Sequence, residues 1–182
     1  AQLAEQGHTV YGAARRVDKI QALANEGVKP LKLDVTDEVS VQTAVSQIIA
    51  EQGRIDVLIN NAGYGSYGAV EDVTIEEAQK QLDVNLLGVA RLTQDVLPYM
   101  RKQHSGRIIN TSSMGGRITT YFGAWYHATK YALEAFSDAL RMAVINFAID
   151  VSLIQPGGTN TYWGFIAADQ PAASAKGGPQ EQ

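Results

Sequence analysis

The chain has 182 residues, 45% of them apolar and 19% charged, the balance of a globular protein with room for one domain rather than two large ones. Fifteen Lys and Arg against nineteen Asp and Glu leave a net charge of −4, which disfavours a general nucleic-acid binder, because such a protein needs a dense basic face to displace phosphate counterions. With no cysteine there is no disulfide scaffold, thiol catalysis or thiolate metal site, a composition that fits a cytoplasmic location, and no run approaches the ~20 apolar residues of a membrane-spanning helix.

Short apolar runs alternate with longer helical patterns, the signature of a parallel sheet with crossover helices. Residues 1–6 read as the last turns of a helix, closed by Gly7. His8–Ala14 reads as a strand, Val17–Asn25 as a short helix ending at Gly27, and Val28–Val35 as a strand with an irregular entry at Pro30. In Glu38–Gln52 the apolar residues Val41, Ala44, Val45, Ile48 and Ile49 recur at helical spacing. Ile55–Ile59 is so evenly apolar that a buried strand is expected. Thr74 to Glu77 form a capping box, and the helical region it opens runs to about Gln103, with a kink expected near Pro98. Arg107–Ser112 is a strand, 124–147 a long helix and Ile149–Ile154 a strand. On the long helix, Trp125, Ala128, Ala132, Phe136, Ala139, Ala143 and Phe147 are expected to form the buried stripe, with Tyr126, Lys130, Glu134, Ser137 and Arg141 on a second, polar one. Residues 167–182, rich in Ala, Gly, Gln and Pro, read as a mobile or unfinished segment, and no repeat or second domain is visible.

Gly63-Tyr64-Gly65-Ser66-Tyr67-Gly68 satisfies the G-x-G-x-x-G pattern of a dinucleotide fingerprint. The pyrophosphate in such a fingerprint rests on the N-terminus of a helix that opens at the third Gly, and here the helical signal begins only at Thr74. A loop at the C-terminal edge of a strand is the better reading, and such edges border ligand crevices in open α/β sheets.

Tyr126 and Lys130, four apart on a helix, share a face. By spacing alone they also read as a surface pair on an amphipathic helix. Ser113 lies thirteen residues before Tyr126, just after a strand; Asn60-Asn61-Ala62-Gly63 follows another strand; Asp83-Val84-Asn85 lies between them. With Pro156-Gly157-Gly158-Thr159-Asn160-Thr161, this set in this order closely resembles the short-chain dehydrogenase/reductase family, in its compact single-domain branch, from Ala1 to about Phe165. The resemblance implies a Rossmann-type α/β fold, a doubly wound parallel sheet in three α/β/α layers. The dinucleotide-binding and catalytic domain would cover residues 1–165, and 166–182 would be a mobile substrate lid of that domain. It also implies that the fold is incomplete at both ends of these 182 residues. The family's first strand, with its Gly-rich turn, and part of its C-terminal region would fall outside them.

The resemblance gives residues roles. Tyr126 is similar to the family's general acid/base, Lys130 to its activator and a partner of the nicotinamide ribose, and Ser113 to the hydroxyl that binds the substrate oxygen. Asn85 matches the Asn whose backbone carbonyl holds a water of the proton relay. Asn61 and Gly63 match cofactor contacts at a strand end, Asp34 and Val35 the adenine contacts, and Gly157, Thr159 and Thr161 contacts beyond the last strand. The chemistry suits these types. A Lys ammonium ~4 Å from a phenol, at an effective dielectric of ~20, stabilises phenolate by about 4 kcal/mol, so Lys130 is expected to bring Tyr126 down toward neutral pH. A Ser hydroxyl supports the oxygen on which charge develops.

The strand that would carry an acidic residue for the ribose 2′-OH of NAD ends in Ala13-Ala14-Arg15-Arg16, so Ala14 stands where a carboxylate is needed. Arg suits a 2′-phosphate, so NADP(H) is favoured over NAD(H), with Arg15 the better candidate; both arginines also read as the solvated start of the next helix. Tyr64, Tyr121 and Trp163 are candidates for an apolar substrate pocket, which Tyr67, Phe122 and Trp125 could also line. His8, His104 and His127 lack ligand spacing, so no metal is expected, and His127 reads as packing. The expected function is NAD(P)-dependent interconversion of a secondary alcohol with a ketone or aldehyde, on a small hydrophobic substrate, by a homodimer or homotetramer. A catalytically silent nucleotide sensor or scaffold on the same fold is the alternative.

Overall fold

In the computed structural model, residues 1–158 are described; the calls on Thr159, Thr161, Trp163 and the lid 166–182 lie outside them. The chain divides into two compact units, Ala1–Gly53 and a second beginning at Arg54.

The first unit runs α1 (Gln2–Glu5), β1 (Val10–Ala14), a 3-10 segment (Val17–Glu26), β2 (Val28–Lys32) and α2 (Glu38–Gln52). β1 and β2 are parallel, with Val10 opposite Val28 and Gly12 opposite Pro30. Pro30 therefore lies inside β2 rather than at its entry. This is tolerated because, among the described residues, β2 pairs with β1 alone and is an edge strand. Gly12 is required by packing, since a Cβ there would stand 2.9 Å from Val28 Cγ1. The Asp37 carboxylate accepts the Val39 N–H at 3.0 Å to start α2, and Val41, Ala44 and Val45 bury its apolar stripe.

The second unit runs β3 (Val57–Asn60), α3 (Ile75–Leu82), a π-helical turn (Asp83–Leu87), α4 (Gly88–Gln103), β4 (Gly106–Thr111), a 3-10 turn (Met114–Gly116), α5 (Ala124–Val144), a second 3-10 turn (Ile145–Phe147) and β5 (Ile149–Ile154). Its sheet is parallel in the order β3-β4-β5, with Leu58 opposite Ile108 and Ile108 opposite Val151. Thr74 caps α3 by accepting the Glu77 N–H at 3.2 Å, as its sequence predicts. The helical region to Gln103 is interrupted by the π turn, while Pro98 remains inside α4.

Two expectations are corrected. Val57 and Ile59 of β3 share one face by the two-residue strand period, and both are about half exposed, at 50% and 48%. An evenly apolar run therefore does not make this strand buried. On α5 the stripes are exchanged except at Arg141, which is exposed. Tyr126, His127, Lys130, Leu133, Glu134, Ser137, Leu140 and Val144 are buried, whereas Ala128, Ala139 and Ala143 are exposed and Trp125, Ala132, Phe136 and Phe147 partly so. The larger aliphatics Leu133, Leu140 and Val144 set the inward face, and polar groups that can find partners go in with them; alanine carries too little apolar area to decide the rotation.

Candidate active site

The C-terminal ends of β3, β4 and β5 carry, in turn, Asn61, Ser113 and the Gln155–Gly157 segment. Such ends are where open α/β sheets place ligands. Ser113 starts the 3-10 turn after β4, its hydroxyl accepting the Gly115 N–H at 3.0 Å, and its side chain is hydrogen-bonded to the Tyr126 hydroxyl in the first turn of α5. Lys130, one turn further along, donates to the Thr111 carbonyl at 2.8 Å, and its Nζ lies 5.9 Å from the centre of the Tyr126 ring.

Burial governs the ionisation of both groups. It pushes the Tyr126 hydroxyl above its ordinary value, opposed by the Ser113 hydrogen bond, so the expected lowering of Tyr126 by Lys130 is not found in this arrangement. Burial also lowers Lys130 to about 8, against an upward pull from Glu134. At neutral pH Tyr126 is therefore a protonated phenol beside a largely charged ammonium.

Asn85 sits in the middle of the π turn and is buried. Its Oδ1 accepts the Tyr64 N–H at 3.0 Å, and its Nδ2 donates to the Tyr64 carbonyl at 2.8 Å and to Thr129 Oγ1 at 3.0 Å. One side chain thus pins the loop after β3 to the helix that carries Tyr126 and Lys130. The bare Gly63 backbone lies alongside: a Cβ there would stand 3.2 Å from Asn85 Oδ1 and 3.8 Å from Lys130 Nζ. Asn61 Oδ1 accepts the Thr111 hydroxyl at 3.1 Å, so it faces the residue whose carbonyl holds Lys130.

The second unit thus brings together Asn61, Gly63, Tyr64, Asn85, Ser113, Tyr126 and Lys130. Gly157 follows Pro156, whose carbonyl accepts the Met114 N–H at 2.9 Å beside Ser113. Arg15, Asp34 and Val35 belong to the first unit. There the Asp34 carboxyl is held below its ordinary value, chiefly by the Thr36 N–H and hydroxyl and further by the Arg15 charge. Tyr64 is partly buried, its hydroxyl donating to Glu77 at 3.1 Å, whereas Tyr121 is 92% exposed. A cavity of about 470 Å³ is lined by Val70, Thr120, Phe122, His127 and Tyr131 among others; Ser113, Tyr126 and Lys130 do not line it.

Several contributors take parts that their motifs do not assign. Tyr67 packs 5.5 Å from the Tyr126 ring, and burial, with Tyr126 adding, pushes its hydroxyl up to about 12. Asn60 donates to Asn110 at 2.9 Å and Asn110 to Ser137 at 2.8 Å, a buried polar chain from β3 through β4 to α5. His127, read from sequence as packing, is a clamp: its Nε2 accepts the Thr120 N–H at 3.0 Å, so its Nδ1 carries the proton that goes to the Gly115 carbonyl at 2.9 Å. Strand-end asparagines in register, and polar residues a turn from Tyr126 and Lys130, are the signals from which these could have been inferred.

The short chain dehydrogenase family model matches residues 1–165. Over 160 residues the chain is 49% identical to a 3-ketodihydrosphingosine reductase of Bacteroides thetaiotaomicron, covering 87% of this chain and 58% of that protein. Among solved structures, a short-chain dehydrogenase from Streptomyces avermitilis superposes with a TM-score of 0.83 at 37% identity, covering 87% of this chain and 60% of that one. An alcohol dehydrogenase from Thermococcus sibiricus, complexed with 5-hydroxy-NADP, gives 0.82 at 28% identity, covering 89% and 71%. The chain therefore spans somewhat over half the length of its curated reductase relative. Parallel strands joined through helices, together with these neighbours, establish an α/β fold of Rossmann type. Among the described residues no helix is long and apolar enough to cross a membrane. With the Ser113, Tyr126, Lys130 and Asn85 constellation assembled on that fold and the family match running through it, the chain belongs to the short-chain dehydrogenase/reductase family of oxidoreductases.

Proposed function

We propose that this protein is an NADP(H)-dependent reductase of a hydrophobic ketone, with Tyr126 as the proton donor. The observation that carries this reading is the hydrogen bond between Ser113 and the Tyr126 hydroxyl, beside a buried Lys130. A carbonyl oxygen placed between the two neighbouring hydroxyls would accept from each.

A nicotinamide nucleotide, when bound, supplies the hydride that adds to the carbonyl carbon. The residues present fit such a group. The uncluttered Gly63 backbone lies against Asn85 and Lys130, Asn61 is exposed at the end of β3, and Lys130 carries a charge with donors to spare. Gly157, Thr159 and Thr161 are proposed contacts beyond β5, and Asp34 and Val35 are proposed for the adenine. Arg15 is proposed for a 2′-phosphate, since no carboxylate follows β1 at Ala14.

As charge develops on the substrate oxygen, the Ser113 hydroxyl donates to it and Tyr126 releases its proton there, forming the alcohol O–H. A hydroxyl pushed up by burial is protonated at neutral pH, the form that carbonyl reduction consumes. Lys130 stabilises the phenolate left behind. Asn85 is proposed to hold the water that returns the proton, through its backbone carbonyl, because a π turn frees carbonyls from helical pairing.

Tyr67 against Tyr126, with Tyr64 nearby, supports an apolar substrate, and Tyr121 and Trp163 are further candidates for its contacts. A long-chain 3-ketone, the type of substrate in the name of the Bacteroides relative, is the first to try. The exposed apolar side of α5, with Tyr131 and Met142, supports self-association as a homodimer or homotetramer, and a cytoplasmic location belongs to the same reading. The test is NADPH consumption by the purified protein over a panel of ketones of increasing chain length. Turnover that rises with apolar length and disappears in Tyr126→Phe supports the reading; a Tyr126→Phe variant as active as wild type overturns it.

A further inference from the structure

Glu134 is a titratable group with no part in the chemistry above. It is 4% exposed, one helical turn beyond Lys130 on the same face of α5. Its Oε2 accepts from Arg117 at 2.9 Å and from Gln155 at 2.8 Å, while its buried Oε1 has no hydrogen-bond partner. Gly116 packs directly on it: a Cβ there would meet Glu134 Cγ at 2.9 Å and Oε1 at 3.1 Å. Three segments of the site thus close on one carboxylate: the turn after Ser113, the end of β5 and the helix carrying Tyr126.

A buried carboxylate with one oxygen unpartnered is costly. The two bonds it makes would be equally available to a neutral Gln, whose carbonyl oxygen accepts from Arg117 and Gln155 alike. What Gln cannot supply is negative charge beside a buried ammonium. We propose that Glu134 is a positioning residue for proton transfer: its carboxylate, paired with Arg117 and one helical turn from Lys130 on the same buried face, holds Lys130 in the charged form beside Tyr126. The proposal rests on the reading of Tyr126 and Lys130 as the proton-transfer pair.

Tyr126 faces Lys130 as a neutral phenol, with Tyr67 packed against the Tyr126 ring. Three carboxylates on the elements packed against α5 have cations of their own. Asp83 of the π turn is paired with Arg91 at 2.7 Å, Glu77 of α3 lies near Lys80 at 3.9 Å, and Asp150 of β5 is paired with Arg107 at 3.0 Å. Arg117, mostly exposed, is the cation that competes for Glu134.

This arrangement predicts opposite effects from its two sides. The Lys130 ammonium is followed by NMR with nitrogen-labelled lysine, assigned by the resonance lost in Lys130→Met. Glu134→Gln should move its titration down by about one pH unit, Glu134→Asp should leave it near wild type, and Arg117→Gln should move it up by about half a unit. Shifts of the same sign in Glu134→Gln and Arg117→Gln, or none in either, overturn the proposal. Should Glu134→Gln fail to fold by circular dichroism, the Arg117→Gln arm decides: an upward shift supports the proposal and any other result overturns it. The titration needs no cofactor and no turnover, so it is separate from the Tyr126→Phe assay, whose failure would strike the reading of Tyr126 instead.

Discussion

Lys130 and Thr111 are joined by a 2.8 Å bond from the ammonium to a backbone carbonyl at the end of β4, inside a site that burial has made unfavourable for charge. Lys130 titrates at about 8 in the folded chain, against 10.5 for a free lysine. Between these values the unfolded chain holds more protons than the folded one, so stability rises with pH across that window, and below it the charged lysine costs the fold on the order of 3 kcal/mol. Lys130→Met removes that cost and forfeits one hydrogen bond of about 1 kcal/mol. The variant should be inactive yet more stable than wild type in urea at pH 7, the difference fading toward pH 10. A stability difference that does not change with pH would contradict this account.

Ser113 and Tyr126 form a linked pair, so their substitutions should not add. Tyr126→Phe should lower kcat by about two to four orders of magnitude. Ser113→Ala should lower it by about two to three. Because each hydroxyl serves the same oxygen, the double variant should be little worse than Tyr126→Phe alone. Steady-state kinetics of the four proteins decide it; a double variant carrying the full product of both losses would mean that the two act independently.

His127 holds the loop between Ser113 and α5 by both ring nitrogens. His127→Phe leaves a Thr120 N–H and a Gly115 carbonyl without these partners, at about 1–3 kcal/mol each. Gly123 reports on the same clamp, since a Cβ there would stand 2.5 Å from His127 Nε2. Gly123→Ala should therefore destabilise the wild type by about 1–3 kcal/mol but cost less in a His127→Ala background, where the Tyr67 ring edge at 3.0 Å is the remaining close contact. Denaturant unfolding of the cycle measures the coupling; additive effects would remove the clamp from the account.

The strand–helix alternation was legible in the sequence because it is written in local spacing, whereas the candidate site was legible only through the ordered set of motifs that resembles a family, since Tyr126 and Lys130 by spacing alone also read as a surface pair. The Thr74 cap, α2 and β5 all fall where pattern places them. What pattern did not carry is what depends on partners. The rotation of α5 is decided by Leu133, Leu140 and Val144 against the sheet, whereas the count of Ala and aromatic residues pointed to the opposite face. The interruption before α4 lies at Asn85, whose amide bonds residues far along the chain, and not at Pro98, the residue with the strongest local signal. The expected descent of Tyr126 used the charge of Lys130 without the desolvation that the fold imposes on both.

Asn85 is held by three bonds, two to the Tyr64 backbone and one to Thr129. Asn85→Asp keeps the size and the acceptor for the Tyr64 N–H but loses the donor, leaving the Tyr64 carbonyl and Thr129 Oγ1 facing a carboxylate. It also places a second buried carboxyl near Lys130, whose Nζ lies close to Gly63 beside Asn85. Two opposed consequences follow: a loss of stability of about 2–4 kcal/mol from the broken bonds, and a Lys130 titration moved up by about one unit by the new charge. Asn85→Ala should share the first effect and lack the second. Urea unfolding and the lysine NMR titration read them separately. A Lys130 titration that moves equally in Asn85→Asp and Asn85→Ala would show that Asn85 acts on the lysine by packing, and would detach it from the electrostatics of the site.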